Sequence, residues 1–338
     1  MEAAGDGPSA RVAYRQAFQE LRSRIDLYPP PGRPASVVFE TASATASQLA
    51  ANCLPLGIAV AMHLYPLCVL QCVPLPFLSV ARFQRTLLLR AIRKGSLVVA
   101  NTGSERTKGG GHSVVARLDG NGIRLDGTFE YMSLATVADL ALFKAPLAGG
   151  RRTVLCAADL RAETVHIGDW RFSGSMRLSD TSPVTFTGHR LARGRYVLVD
   201  DDEALHCTSD YQRCWFHLFL ADLYLARLER LHVVWDSPRS AEDVMTLNEL
   251  SQLRLFGLRL LDDFTSGSDI EPLKRATSAM KLRVSRMAQS MMAWLSDRGE
   301  DGSELRYIRS QPTADDLILR SICLTIPNGV PSYAHSTT

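Results

Sequence analysis

The sequence has no marked excess of either charge. Lys and Arg number 38 against 35 Asp and Glu over 338 residues, a net of +3. So small a balance excludes a broad nucleic-acid footprint. The seven cysteines (Cys53, Cys68, Cys72, Cys156, Cys207, Cys214, Cys323) form no C-x-x-C pair, so a zinc knuckle is unsupported. They sit mostly in apolar runs, as buried thiols of a reducing, cytoplasmic setting do. The first residues lack a signal-peptide apolar region, in line with that expectation. There is neither a P-loop nor a G-x-G-x-x-G fingerprint. Between Thr41 and Ala81 there is no Asp, Glu, Lys or Arg. Residues 54–80 are long enough to span a bilayer, but Pro55, Pro66, Pro74 and Pro76 interrupt them, and Asn52, His63 and Gln71 add polar groups. The expectation is a pair of short buried helices, with no membrane.

What is present is an ordinary globular composition, 46% hydrophobic and 22% charged, with length for two or three domains. Helical spacing of apolar residues marks 10–25, 42–53, 54–75 and 81–93. Short β-rich runs follow at 97–100, 114–118, 122–125, 140–144, 152–157, 184–187 and 196–199, with turn signals at Asp119-Gly120-Asn121-Gly122, Asp126-Gly127 and Gly149-Gly150. Strands without intervening helices predict an antiparallel barrel or sandwich. Helical patterns return at 211–234, 241–263, 270–295 and 314–324, and they predict a bundle.

Several local motifs then fall in a familiar order. Arg93-Lys94-Gly95-Ser96-Leu97-Val98-Val99-Ala100 leads into Asn101-Thr102-Gly103-Ser104-Glu105-Arg106-Thr107-Lys108, followed by Asp119-Gly120. Thr128-Phe129-Glu130-Tyr131-Met132-Ser133 and Ala138-Asp139 come next, then Met176-Arg177-Leu178-Ser179-Asp180-Thr181 ahead of Val184-Thr185-Phe186. In order and spacing these resemble the acyl-CoA dehydrogenase superfamily of flavoproteins, across roughly residues 40–235. The resemblance implies an α+β fold: an N-terminal helical domain (1–95), a middle β-barrel (96–199) and a C-terminal helix bundle (200–338). It implies FAD, or another flavin form, touching Val99, Asn101, Thr107, Tyr131, Met132 and Ser133. Tyr131 would lay its ring against the flavin, and the hydroxyl and backbone N–H of Ser133 would reach flavin N5. It also implies an acyl-CoA or acyl-carrier-protein substrate, α,β-dehydrogenation, and a homo-oligomer.

Departures from the family pattern keep other readings open. Arg106 and Lys108 make the first loop cationic, and Gly109-Gly110-Gly111 adds bare amides, which suits a substrate phosphate or a solvated loop. The family's C-terminal Y-E-G-T, which supplies the base, is missing, and Gln212 stands at the alternative place. Asp315 and Asp316 are candidate bases or helix caps. His63 is a candidate polar group over the flavin or a core histidine. Trp215-Phe216-His217-Leu218 resembles the monooxygenase-like branch, which needs no such base and works with a flavin reductase or electron-transfer partner. The adenosine-binding R-x-x-F-G and Q-x-x-G-G-x-G segments are absent, so a non-redox relative is the third reading.

Overall fold

Apolar residues at helical spacing and a middle stretch of strand-like runs fold as two kinds of layer. The computed structural model describes residues 8–24, 26–74, 80–102, 113–149, 152–172, 174–199, 202–235, 241–265 and 268–306. Four helices come first: α1 (Pro8–Arg24), α2 (Ala35–Asn52), α3 (Leu54–Cys72) and α4 (Val80–Lys94). Eight strands follow: β1 (Val99–Asn101), β2 (Val114–Asp119), β3 (Gly122–Met132), β4 (Leu140–Pro146), β5 (Thr153–Asp159), β6 (Val165–Ile167), β7 (Ser182–Leu191) and β8 (Tyr196–Val199). The long helices α5 (Asp202–Val234), α6 (Ala241–Asp263) and α7 (Glu271–Ser296) close the described chain. The expected helix at 314–324 lies outside the described residues.

The strands form two four-stranded sheets, ordered β1-β4-β5-β8 and β2-β3-β7-β6. Isolated bridges join them at Asn101–Ser133 and Ala116–Leu147. Asp126-Gly127, expected as a turn, lies inside β3 as a bulge. There Gly127 adopts φ +127, and a Cβ would sit 2.3 Å from the Ser113 carbonyl oxygen. Only glycine fits so close a backbone approach.

Within the uncharged stretch, α3 runs without a break from Leu54 to Cys72, so neither Pro55 nor Pro66 divides it. Pro55 sits in the first turn, where no N–H is needed. Pro66 is internal, and the burial of its neighbours Leu64, Tyr65 and Leu67 offsets the lost hydrogen bond. By length and composition α3 is the one helix among the described residues able to cross a membrane, yet 83% of its most apolar 18-residue window is buried in the protein. It packs against α2, α5 and the segment Gly174–Ser179. Cys53 alone, in extended conformation, joins α2 to α3. Gly57 lets the two backbones meet, since a Cβ there would lie 2.5 Å from that of Ala50.

His63, in the middle of α3, is fully buried with both ring nitrogens engaged. Nε2 donates to the Leu27 carbonyl at 3.0 Å, and Nδ1 accepts from the Val99 N–H at 2.9 Å. The candidate group over the flavin is thus a core histidine whose nitrogens are committed to backbone. Burial pulls its pKa down to about 4, against hydrogen bonds that raise it. Replacing it with Ala should cost about 3 kcal/mol in denaturant unfolding, through a cavity and two orphaned backbone groups. Because the folded pKa lies below the unfolded one, wild type loses this advantage as pH falls from 6.5 towards 4. The stability gap to His63→Ala should narrow over that window; a constant gap would contradict the neutral buried ring.

Candidate functional site at the seam of the two sheets

The residues singled out by sequence meet where the sheets join. At the end of β1, the Asn101 carbonyl accepts the Ser133 N–H at 3.2 Å. Thr102 Oγ1 donates to the Tyr131 carbonyl at 2.5 Å. β1 itself is fixed at its start by Asp139, whose carboxylate accepts the Val98 N–H at 2.8 Å and pairs with Arg161. The register irregularity between Phe129 and Met132 breaks the alternation here: Tyr131 is 44% exposed, whereas Met132 is fully buried. Ser133 is 6% exposed. The Tyr131 ring stacks on Phe172 at 6.2 Å and 26°. Val99 is fully buried in a cluster with Leu67, Ile92, Leu140 and Leu142, so its side chain serves packing. Thr107, Arg106, Lys108, Asp315 and Asp316 lie outside the described residues.

Two features of this seam go beyond what the sequence pattern gives. The first is that Oδ1 of Asn101, a residue already expected at the cofactor, is buried with no hydrogen-bond partner among the described residues. Desolvation without compensation costs about 1–3 kcal/mol. The second is the segment after the short helical stretch Gly174–Ser179. Asp180 is completely buried at φ +50, facing Leu134 at φ +61, two non-glycine residues in the left-handed region. The Asp180 carbonyl accepts the Ala135 N–H at 3.3 Å, and its carboxylate accepts from Thr136 N–H (3.0 Å), Thr136 Oγ1 (2.6 Å) and Trp170 Nε1 (2.7 Å). Helix α1 braces the same turn, with Tyr14 donating to the Leu178 carbonyl at 3.0 Å and Arg15 to the Thr136 carbonyl at 2.8 Å. Strain of this kind persists only where the surroundings over-determine the backbone. The Ser-Asp-Thr cluster was visible in the sequence as part of the family pattern, but nothing in its spacing marked a buried carboxylate.

The expected backbone role of Ser133 needs correcting. Its N–H is committed to Asn101 and has no proton left for a ligand. Its hydroxyl instead meets Thr181 Oγ1 at 3.1 Å. Among the described residues no group of His, Cys, Asp and Glu could hold a metal ion.

Burial pushes the Asp180 carboxyl up to about 6, against three donors that favour its charge. A raised folded pKa means stability is full below about pH 4 and is lost as pH rises through 6. Asn tolerates the left-handed backbone and does not titrate. Relative to Asp180→Asn, wild type should weaken by about 3 kcal/mol between pH 4 and 7. Parallel stability profiles for the two proteins would show that the carboxylate stays ionised throughout.

No protein-family model matches the chain. No curated protein matches it. Solved structures do. The nitrososynthase from Micromonospora carbonacea var. africana superposes with a TM-score of 0.68 at 17% identity, covering 92% of this chain and 89% of that one. A FAD-dependent dehydrogenase gives 0.66 at 12% identity, over 95% of this chain and 99% of its own. The dibenzothiophene monooxygenase from a Paenibacillus species, also solved with FMN and indole, gives 0.61 at 16% identity, over 94% and 90%. Identities this low speak to architecture, and on that level they agree with the motif order read from residues 40–235: this chain has the acyl-CoA dehydrogenase-like fold.

Proposed function

We propose that the protein is a flavin-dependent oxidoreductase whose flavin lies against the seam formed by Asn101, Tyr131 and Ser133. The observation that carries this reading is the buried Asn101 Oδ1, which has no hydrogen-bond partner among the described residues and sits among residues the family pattern assigns to the cofactor. A flavin's pyrimidine edge offers an N–H to such an acceptor, so the residues present fit the group. When bound, a flavin supplies two-electron chemistry or, once reduced, reaction with dioxygen. Asn101 orients the ring's polar edge, and Tyr131 on Phe172 provides an aromatic platform beside it. FAD and FMN both suit this reading, since matched structures include a protein described as FAD-dependent and one solved with FMN.

For the reaction, α,β-dehydrogenation of an acyl-CoA or acyl-carrier-protein thioester is the first reading. It requires a carboxylate base, for which Asp315 and Asp316 are the candidates. Flavin monooxygenation, with a flavin reductase or electron-transfer partner, is the second. It is favoured by Gln212, an amide that cannot take a proton, whose Nε2 lies 3.4 Å from the Tyr65 hydroxyl. The matched structures include a dibenzothiophene monooxygenase and a FAD-dependent dehydrogenase, one in keeping with each reading. The buried free thiols Cys68, Cys156 and Cys214 accord with a cytoplasmic setting.

An absorbance spectrum of the purified protein, before and after adding FMN or FAD, tests the flavin reading; no bound or titratable flavin would sink it. Asn101→Ala should weaken flavin binding about threefold to tenfold. Tyr131→Ala should weaken it further. Anaerobic bleaching of bound flavin by an acyl-CoA, without any reductase, would select the dehydrogenase over the monooxygenase.

A homo-oligomer belongs to the same proposal. The apolar residues of 241–261 and 280–295 are the candidates for such an interface. Met280, Val284, Met287, Met291 and Leu295 are instead buried within the chain. What stays open is α6, where Val244, Met245, Leu255 and Phe256 are exposed. Sedimentation at micromolar concentration should show a dimer or larger species that Phe256→Glu weakens; a monomeric wild type would contradict the assembly.

A further inference from the structure

The hydroxyl of Ser133 heads a chain of three. Ser133 Oγ meets Thr181 Oγ1 at 3.1 Å, Thr181 Oγ1 meets Ser179 Oγ at 3.0 Å, and Ser179 Oγ lies 2.8 Å from the Met176 carbonyl. Each hydroxyl owns one proton. A carbonyl has none, so the last bond must use the proton of Ser179. Ser179 can then only accept from Thr181, and Thr181, its proton spent, can only accept from Ser133. The direction of every bond is therefore fixed from the Met176 end. Ser133 is buried to 94% or more with Thr181 and Ser179 still deeper, at 4% and 1% exposure, so water has little access to reverse the chain.

We infer that Ser179 and Thr181 are positioning residues that make Ser133 a one-way hydrogen-bond acceptor towards the site, which therefore favours reduced over oxidised flavin. The inference rests on the flavin reading given above and deepens it. The family resemblance sets flavin N5 against Ser133, and oxidised flavin presents a bare nitrogen there that a donor would satisfy. Two-electron reduction places a hydrogen there, turning the same atom into a donor. Ser133, its own proton directed inward to Thr181 and its N–H held by Asn101, can satisfy only the second. A serine at this place would be free to serve either form if it stood alone. The buried hydroxyls behind it remove that freedom.

The scaffold holds this geometry firmly. Ser179 and Thr181 flank Asp180, whose carboxylate is gripped by Thr136 and Trp170, and whose carbonyl bonds Ala135, two residues beyond Ser133. The hydroxyl chain thus runs between two backbone segments already locked to each other. This places Ser133 and Thr181 within reach without relying on either hydroxyl to hold the fold.

The test uses the full chain with FMN as probe. Affinity for oxidised FMN is read by fluorescence quenching, and the midpoint potential of bound FMN by equilibration with a redox dye. Thr181→Val frees the Ser133 proton to turn outward. Ser179→Ala frees the Thr181 proton to turn towards Ser133, which reverses the chain from two bonds away. Both should lower the ratio of reduced-to-oxidised affinity by about threefold to tenfold, a fall in potential of about 15–30 mV. Thr181→Ser, which keeps a hydroxyl, should restore the wild-type potential. A packing role alone would not shift the potential in one direction for both variants, and if either fails to fold the other decides. Bound FMN with an unchanged or raised potential in the folded variants would overturn the hydroxyl chain and leave the flavin site standing. Failure of wild type to bind FMN or FAD would overturn the site and the inference together.

Discussion

The arrangement of the site depends on one backbone hydrogen bond, from the Ser133 N–H to the Asn101 carbonyl. β1 and β3 belong to different sheets, and this contact is one of two isolated bridges that join them. It brings the end of one sheet within reach of the aromatic and hydroxyl residues at the end of the other. A single neutral hydrogen bond is worth only about 0.5–1.5 kcal/mol, too little to hold two sheets by itself. The supporting grip comes from around it: Asp139 at the start of β1, Thr102 on the Tyr131 carbonyl, and Asp180 on the turn that follows Ser133.

Asp180 and His63 show how such a fold carries ionisable groups in its interior. Each is buried, and desolvation dominates each: the carboxyl is pushed up and the imidazole pulled down, so both favour the neutral form. The linkage terms have opposite signs. Acidification makes the folded state gain from Asp180 and lose from His63 over overlapping pH ranges. Their combined effect on stability in mildly acid solution is therefore small, although each alone is substantial.

The sequence reading reached furthest where periodicity was long. The helix expected at 241–263 coincides with α6, and the order of helices, strands and helices is as the pattern suggested. Local exceptions escaped it for identifiable reasons. Pro66 signalled a break, but burial on several sides of α3 outweighed the missing N–H. Asp126-Gly127 has the composition of a turn, yet the same glycine also suits a bulge, and the bonds from β3 to β7 decide between them. β6, three residues at a sheet edge, is too short for alternation to show. At the candidate site, the family pattern nominated Tyr131 and Ser133. The commitments of their hydrogen bonds were not, because Thr181 lies 48 residues away from Ser133 in the chain. A one-dimensional pattern can nominate a hydroxyl, but the direction of its proton is decided by distant partners.

The placement of His63 also bears on how the chain finds its structure. The ring bonds residues 36 positions before it and 36 positions after it, so one side chain closes two loops of equal length. Neither bond repays its loop-closure entropy until α3 and the segment around Leu27 have docked, and only then does β1 acquire a partner for the Val99 N–H. The first sheet begins on a strand of three residues whose start is thus made by long-range contacts. Such a topology raises the mean sequence separation of native contacts, which slows folding. It also ties the sheet edge that borders the site to the helical layer through a single side chain.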